Sequence, residues 1–596
     1  MRFGLFYEHQ LPRPWTRDSE YQLLQDALEQ IELADELGIE FVWEVEHHFL
    51  EEYSHSSAPE VFLAAASQRT KRIRLGHGIV QTSPLYNHPA RVAERAATLD
   101  LLSNGRLELG TGESATTMEM DGFGVTLHEK EAQWKEGLHA VVRCMTETPF
   151  TGIDGMWVQM PPRNVVPKPR QQPHPPLWMA CSRRDSIIKA AELGLGALTF
   201  AFIDPEDARS WVEAYERHLA HANPVGLRMD PELACVTPMM VHRDEREAIR
   251  RGLEGGNFFG YSLAYYIVFG DHAPGRSNVW DEFQRERRTR GYDPEAAIER
   301  ELAQLGTRVE SGGAAGLRGA VGTPDQLRDF LRRYEEAGVD QLIFVLQAGT
   351  NRHEHILESL ELFGREILPE FQERDVKLRK EKAARLEPWI DAALARRSQP
   401  APAADPGYRV QAIAKQLYRG AGGQALLDQI AADSATGQRM LGIDVAAGGK
   451  ATDVEMHTDL SDAGPPSGGK FEFLSPGWFK EADALRAQIN PPVPAAIQNV
   501  KIDVIVTGGP DGDIEASLVA GRFKPGLSQA PVKMVMPYDI AHRMFIAGDD
   551  QTSMQAMMRG EIKVEGDISV LMALQMAGAP SAEAEELQGR IRGMTQ

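Results

Sequence analysis

Cysteine is scarce: Cys144, Cys181 and Cys235 are the 3 in 596 residues. Their odd number and wide separation exclude a disulfide framework and offer no metal-ligand spacing, which fits a reducing cytoplasm. No run of about 18 apolar residues occurs, so nothing reads as membrane-spanning. Basic residues are outnumbered: 64 Lys and Arg against 86 Asp and Glu give a net charge of −22. That argues against a nucleic-acid partner, which needs a basic face, and against docking on anionic lipid. The opening segment MRFGLFYEHQ lacks a basic region, an apolar signal core and a small-residue cleavage site. It reads as a strand, and no targeting peptide is expected. No repeat of about 20–50 residues is present.

What is there is an alternation. Short apolar runs at 1–7, 41–49, 73–81, 106–110, 176–181, 197–202, 233–241 and 341–347 read as strands. Helical spacing fills 23–37, 59–70, 91–102, 129–146, 186–193 and 205–219, and a helix through Phe363 follows the last strand. Eight strands, each followed by helical sequence, predict an α/β fold, a (β/α)8 TIM barrel; an open doubly wound sheet is the alternative. The stretch 257–318 breaks the rhythm and reads as an insertion before the last unit, near the mouth where lids sit. Its Gly-rich piece 312–319 reads as a loop. Three regions follow: a barrel over 1–372, a charged helix and Pro/Ala linker over 373–469, and a further α+β domain over 470–596. Within the last two regions, helical patterns fall in 408–417 and 424–432, and 500–536 alternates like an antiparallel sheet.

The sharpest motif is Glu46-His47-His48-Phe49 at the end of the second strand, where a parallel barrel places catalytic groups. Adjacent strand residues face opposite ways, so only one histidine faces the lumen. An imidazole there suits proton transfer near neutral pH. A packed or surface histidine pair, or a metal site without recognisable ligand spacing, are the competing readings.

From here Trp43–Glu113 resembles the luciferase-like monooxygenases. It carries EHHF, then His88-Pro89-Ala90-Arg91, then AERAATLDLLSNGRLELGTG, like that family's HPVR…AE…LD..S.GR…G.G pattern. Gly322-Thr323-Pro324 and the helix ending in AGVDQLIF extend the likeness over roughly residues 1–370. The resemblance implies FMN as cofactor, delivered reduced by a separate flavin reductase, with O2 as co-substrate. It makes His47 the base or proton donor beside the flavin. It places the FMN phosphate at the turn Ala180–Ser186, with Ser182, Arg183 and Ser186 as holders; helix capping is the plainer role for the two serines. Gly112, in Gly110-Thr111-Gly112 at the end of the fourth strand, either admits the ring closely or makes a turn, and Gly78 lies in Gly76-His77-Gly78, where the family often has a non-proline cis peptide under the flavin. Cys181 stands where luciferases proper carry an acidic residue, which puts light emission in doubt. The loop 82–87 is longer than theirs and should reshape the substrate pocket.

Residues 471–575 resemble a sterol-carrier-protein domain. The likeness rests on Phe473-Leu474-Ser475-Pro476-Gly477-Trp478 and on Met557-Met558-Arg559-Gly560-Glu561-Ile562-Lys563-Val564-Glu565-Gly566-Asp567, followed by a last apolar helix over 568–576. It implies a five-stranded sheet and helices over an apolar tunnel. Methionines including Met534, Met557 and Met558 suit an adaptable apolar ligand surface, or ordinary core filling. The expected function is an FMN-dependent monooxygenase acting on an apolar, lipid-like aldehyde or ketone, as a homodimer. The alternatives are a deazaflavin-dependent oxidoreductase on the same barrel, and a non-catalytic lipid-binding protein.

Overall fold

Strand β1 (Arg2–Tyr7) is buried along its whole length, which requires cover on both faces. In this computed structural model it pairs in parallel with β2 (Phe41–Glu44) on one side and β8 (Gln341–Val345) on the other. The structure describes residues 1–199, 202–305, 319–397, 405–410, 471–489, 491–493, 498, 500–509, 512–547, 556, 561–566 and 581–595. The ring continues through β3 (Arg74–Gln81), β4 (Leu107–Gly112), β5 (Leu177–Cys181), β6 (Gly196–Thr199) and β7 (Leu233–Val241), and β7 pairs with β8. Eight parallel strands close, so the barrel expected from the alternation is present and the open sheet is excluded.

Alternation along each strand divides the apolar residues between two cores. Phe3, Leu5, Val42, Leu75, Leu109 and Met179 pack outward against the helices. Phe6, Trp43, Trp178, Leu198, Val236, Ile343 and Val345 form a separate cluster filling the lumen. Its aromatic share is high, and Trp43 and Trp178 meet edge to face at 5.2 Å. Trp43 fits only because β3 has no side chain opposite: a Cβ on Gly76 would lie 2.3 Å from the indole.

The helices α1 (Ser19–Leu37), α2 (Pro59–Arg69), α3 (Pro89–Leu102), α4 (Thr117–Phe123), α5 (Lys130–Thr146), α6 (Arg184–Glu192) and α7 (Pro205–Leu219) follow their strands in order. The expected insertion needs correction. The aromatic stretch around 260–270 belongs to the end of α8 (Glu245–Ala264) and a π-helical turn at Tyr265–Phe269. The glycines there look like helix breakers in sequence. In the structure Gly255 lets α8 pass the loop after β8, where a Cβ would meet Asn351 Oδ1 at 2.2 Å. The true insertion is α9 (Val279–Thr289) and α10 (Pro294–Leu305) with their connections. A short strand, Ala320–Gly322, then pairs in parallel with the end of β7 outside the closed ring. Of the Gly-rich segment 312–319, only Gly319 lies within the described residues. Helices α11 (Pro324–Ala337) and α12 (His353–Glu366) flank β8.

The charged helix, α13 (Leu368–Arg396), starts five residues earlier than the expected 373 and packs on the barrel. The N-terminal amine meets Asp375 at 3.0 Å, Lys382 meets Asp340 at 2.6 Å and Arg385 meets Glu216 at 2.6 Å. The chain divides into two compact units, Met1–Ile413 and Ala414–Gln596. The helical patterns expected in 408–417 and 424–432 lie outside the described residues, except 408–410, which are not helical.

The second unit carries a five-stranded sheet: β9 (Lys501–Gly509), β10 (Gly512–Val519), β11 (Arg522–Pro525), β12 (Val532–Pro537) and β13 (Lys563–Gly566), in the order β11-β10-β9-β12-β13. The antiparallel reading of 500–536 holds for β9 and β10 but not for β12, which runs parallel to β9. Helices α14 (Pro476–Ile489) and α15 (Ala582–Met594) join it, and Trp478 Nε1 donates to Thr595 Oγ1 at 2.8 Å. Between sheet and helices lies a cavity of about 400 Å³ lined by Trp478, Leu518, Phe523, Phe545, Ile546 and Leu587, among others. Met557, Met558 and the helix expected at 568–576 lie outside the described residues.

Gly76→Ala drives a methyl into the Trp43 ring, and overpacking of this kind costs about 1–3 kcal/mol. Its urea midpoint should fall accordingly; a midpoint equal to the wild type would contradict this packing.

Candidate active site at the barrel mouth

The sheet releases the chain earlier than the sequence suggests. β2 ends at Glu44, so 45–49 are not strand. Ser56 closes the loop instead, its single hydroxyl proton shared between Glu44 Oε1 at 2.5 Å and the Val45 carbonyl at 2.6 Å. The His47 amide donates to the Ser56 carbonyl at 2.8 Å. The two histidines do diverge, but through this loop and not through strand alternation.

His47 Nδ1 lies 2.9 Å from Glu119 Oε1, and Nε2 lies 3.7 Å from Glu8 Oε2. Glu119 is fully buried on α4. It accepts from Ser114 Oγ at 3.0 Å, Thr116 Oγ1 at 2.8 Å and the His48 amide at 3.1 Å. Glu8 follows β1, is 3 % exposed and accepts from the Tyr53 hydroxyl at 2.8 Å. Burial alone would lower the His47 pKa, but Glu119 and Glu8 outweigh it and lift the imidazolium to about 9. Burial pushes Glu8 up to about 7 against the opposing pull of His47 and Tyr53. Burial also works against the Glu119 carboxylate, yet His47 and its hydroxyl donors hold it below the usual range. His47 is therefore cationic at neutral pH.

His48 turns the other way. Its Nε2 lies 3.1 Å from Glu46 Oε1, and its ring meets Phe123 at 4.9 Å. Glu46 also accepts from the Gln81 amide and from Asn87 Nδ2, both at 2.8 Å, fixing the loop after β3. Glu51 and Glu52 tie the insertion to the same rim. Glu51 accepts from the Gly275 amide at 2.7 Å and Glu52 from the amides of Val279 and Trp280. Among the described residues, no group of three or more His, Cys, Asp or Glu side chains could hold a metal ion.

The turn at 182–186 joins β5 to α6 at the C-terminal rim of the barrel, the rim that also carries His47. Ser182, Arg183 and Arg184 are exposed there. Ser186 is already engaged: its Oγ accepts from the Arg183 amide at 3.1 Å and donates to the Arg183 carbonyl at 2.6 Å, closing the first turn of α6. Gly78 and Gly112 face packed neighbours: a Cβ would meet Trp43 at 3.2 Å and Ile79 at 3.1 Å respectively. Their missing side chains make room for those residues. Met534 is 1 % exposed in the core of the second unit and does not line its cavity.

The sequence model of the luciferase-like monooxygenases matches residues 1–341. The chain belongs to this family. The oxygenase component of flavin-dependent trigonelline monooxygenase from Acinetobacter baylyi is 26% identical over 385 residues, 63% of this chain and 97% of that protein. A 5,10-methylenetetrahydromethanopterin reductase from Methanopyrus kandleri is 26% identical over 364 residues, 58% of this chain and 94% of that one. An uncharacterized protein of Sinorhizobium fredii is 31% identical over 186 residues, 31% of this chain; the match spans about half, 52%, of that protein.

As a luciferase-like monooxygenase the chain departs from expectation in β3. The cis peptides among the described residues all precede proline, so Gly76-His77-Gly78 is trans throughout. The strand instead shifts register against β4 between His77 and Val80. Its mouth does fit a flavin nucleotide. Glu8 Oε2, Gln81 Oε1 and the Tyr266 hydroxyl are buried without a hydrogen-bond partner, above an aromatic lumen. The exposed arginines of the 182–186 turn offset the acidic interior. Glu8, Tyr53 and Glu119 escaped the sequence reading. Thr116-x-x-Glu119 was visible only as a helix-capping pattern, and Glu8 only as a polar residue after an apolar run.

The raised pKa values fix the sign of a pH effect. His47 contributes stability fully present below about 6.5, its unfolded value, and lost as pH rises through about 9. Glu119→Gln should flatten this loss, on the order of 1–3 kcal/mol, in thermal midpoints followed across that window. Equal slopes in both proteins would refute the pairing.

Proposed function

We propose that this chain is the oxygenase of a two-component flavin monooxygenase. It takes reduced FMN from a separate reductase and oxygenates an apolar substrate with O2. The observation that carries this is a partly buried imidazolium, His47 between Glu119 and Glu8, on the same barrel rim as an exposed Ser182-Arg183-Arg184 turn. The relative named as an oxygenase component supports the division of labour.

Ser182, the Arg183 and Arg184 side chains and the free amides opening α6 would hold the phosphate. When bound, the reduced flavin supplies the electrons that activate O2. The aromatic lumen and the insertion exclude water. His47 holds a proton at Nε2 for the reacting oxygen, and Glu119 fixes its ring through Nδ1. We assign the second unit a carrier role for an apolar ligand, as in the sterol-carrier-like domains it resembles. Its cavity is built from Trp478, Phe523, Phe545 and Leu587, with Arg486 and Arg522 on the wall.

The similarity to a reductase favours a second reading, hydride transfer with a deazaflavin on the same rim. Anaerobic titration with reduced FMN, then with reduced deazaflavin, each followed by an oxygen pulse, separates the two. The monooxygenase reading expects tight FMN binding and an oxidation course unlike free-flavin autoxidation. Autoxidation identical to free flavin rejects it. Replacing Arg183 and Arg184 by Ala should weaken reduced FMN about 10- to 100-fold while leaving riboflavin, which lacks the phosphate, unchanged. Equal loss for both ligands would remove the turn from phosphate binding. His47→Ala should keep flavin affinity and slow oxygenation about 100-fold.

A further inference from the structure

Glu8, at the mouth, has no part in the reaction scheme above. Glu8 is buried, and its two oxygens are placed differently. Oε1 accepts from the Tyr53 hydroxyl at 2.8 Å. Oε2 has no hydrogen-bond partner and faces His47 Nε2 at 3.7 Å. Glu119, by contrast, is saturated by Ser114, Thr116 and the His48 amide, and it holds the opposite nitrogen, Nδ1. Glu119 is anchored to fix the ring; Glu8 is left with one oxygen free beside the nitrogen that faces the site.

We propose that Glu8, held by Tyr53, is a positioning residue and proton store for His47. When His47 gives its Nε2 proton to a reacting oxygen, the Nε2 lone pair faces the Glu8 carboxyl. The Glu8 O–H bond then breaks and an Nε2–H bond forms, leaving a Glu8 carboxylate beside a restored imidazolium. No electron transfer is involved, and Glu8 recovers its proton from solvent when the site opens. Burial favours the protonated Glu8 needed to start. The other ionisable groups acting on this pair are Glu119 on α4, Glu44 ending β2, and Glu46 and Tyr53 in the loop that follows. Glu119 and Glu44 favour the protonated form of Glu8, and Glu119 and Glu46 favour the imidazolium of His47.

The proposal rests on His47 as donor, but its test needs no flavin. The full chain, labelled in histidine, is titrated by NMR, with His47 assigned from the spectrum of His47→Gln. Protonated carboxyl groups are followed in parallel by infrared spectroscopy. In Glu8→Gln, the His47 midpoint should fall by about 1 to 3 pH units, and the carboxylic-acid band titrating near 7 should vanish. Tyr53→Phe should move that band's midpoint upward, because a donor to the charged form is lost. Glu8→Asp, compared at matched thermal midpoint, should retain a titrating acid band and so separate a proton role from a packing one. An unmoved His47 midpoint in Glu8→Gln, or no protonated carboxyl near neutrality in the wild type, overturns the proposal. Failure of reduced FMN to bind would sink the monooxygenase reading and leave these titrations unchanged.

Discussion

A charge held at the mouth of a closed barrel, on the partly buried His47, is the constraint on which the rim is organised. A partly buried imidazolium is costly unless acids face it: Glu119 on α4 does so as a carboxylate, and Glu8 at β1's end as an acid whose proton burial favours. Those acids in turn demand donors. Ser114, Thr116, Tyr53 and the His48 amide supply them, and this sets the path of the loops after β2 and β4. The same rule extends outward: Glu46 pins the loop after β3, and Glu51 and Glu52 pin the insertion. The rim is held by acids accepting backbone amides, so a residue lost from the network loosens loops as well as charge.

The floor beneath this rim is the opposite kind of matter. Trp43 and Trp178 cross in the lumen, seated against glycines on β3 and β6, where a Cβ on Gly196 would lie 2.6 Å from Trp178. Bulky rings on some strands and bare backbone on others keep the barrel filled. The glycines of β3 and β4 therefore serve the core first, whatever flat ligand rests above it.

The fold was largely legible because the strands are buried on both faces. RFGLFY and LACVTPMMV have no polar face to confuse with a helix, and their bounds were found within a residue. Legibility failed where long-range contacts outweigh local pattern. The run 41–49 continues like a strand, yet Ser56 pulls it out of the sheet after Glu44. Gly255 and Gly256 look like breakers, yet α8 uses Gly255 to approach the loop after β8. β12 alternates like any strand, and nothing local reveals that it pairs in parallel. His47 was found by motif and position, but its partners are 39 and 72 residues away in sequence, at Glu8 and Glu119, and no local rule links them.

In the proposed enzyme one flavin would span His47 and the turn at Ser182. A crystal structure of the full chain soaked with FMN under anaerobic reduction tests it most directly. The expected result is a phosphate hydrogen-bonded to Ser182 and the first amides of α6, with the ring reaching the Nε2 side of His47. A phosphate bound elsewhere, or a ring stacked away from His47, would contradict it.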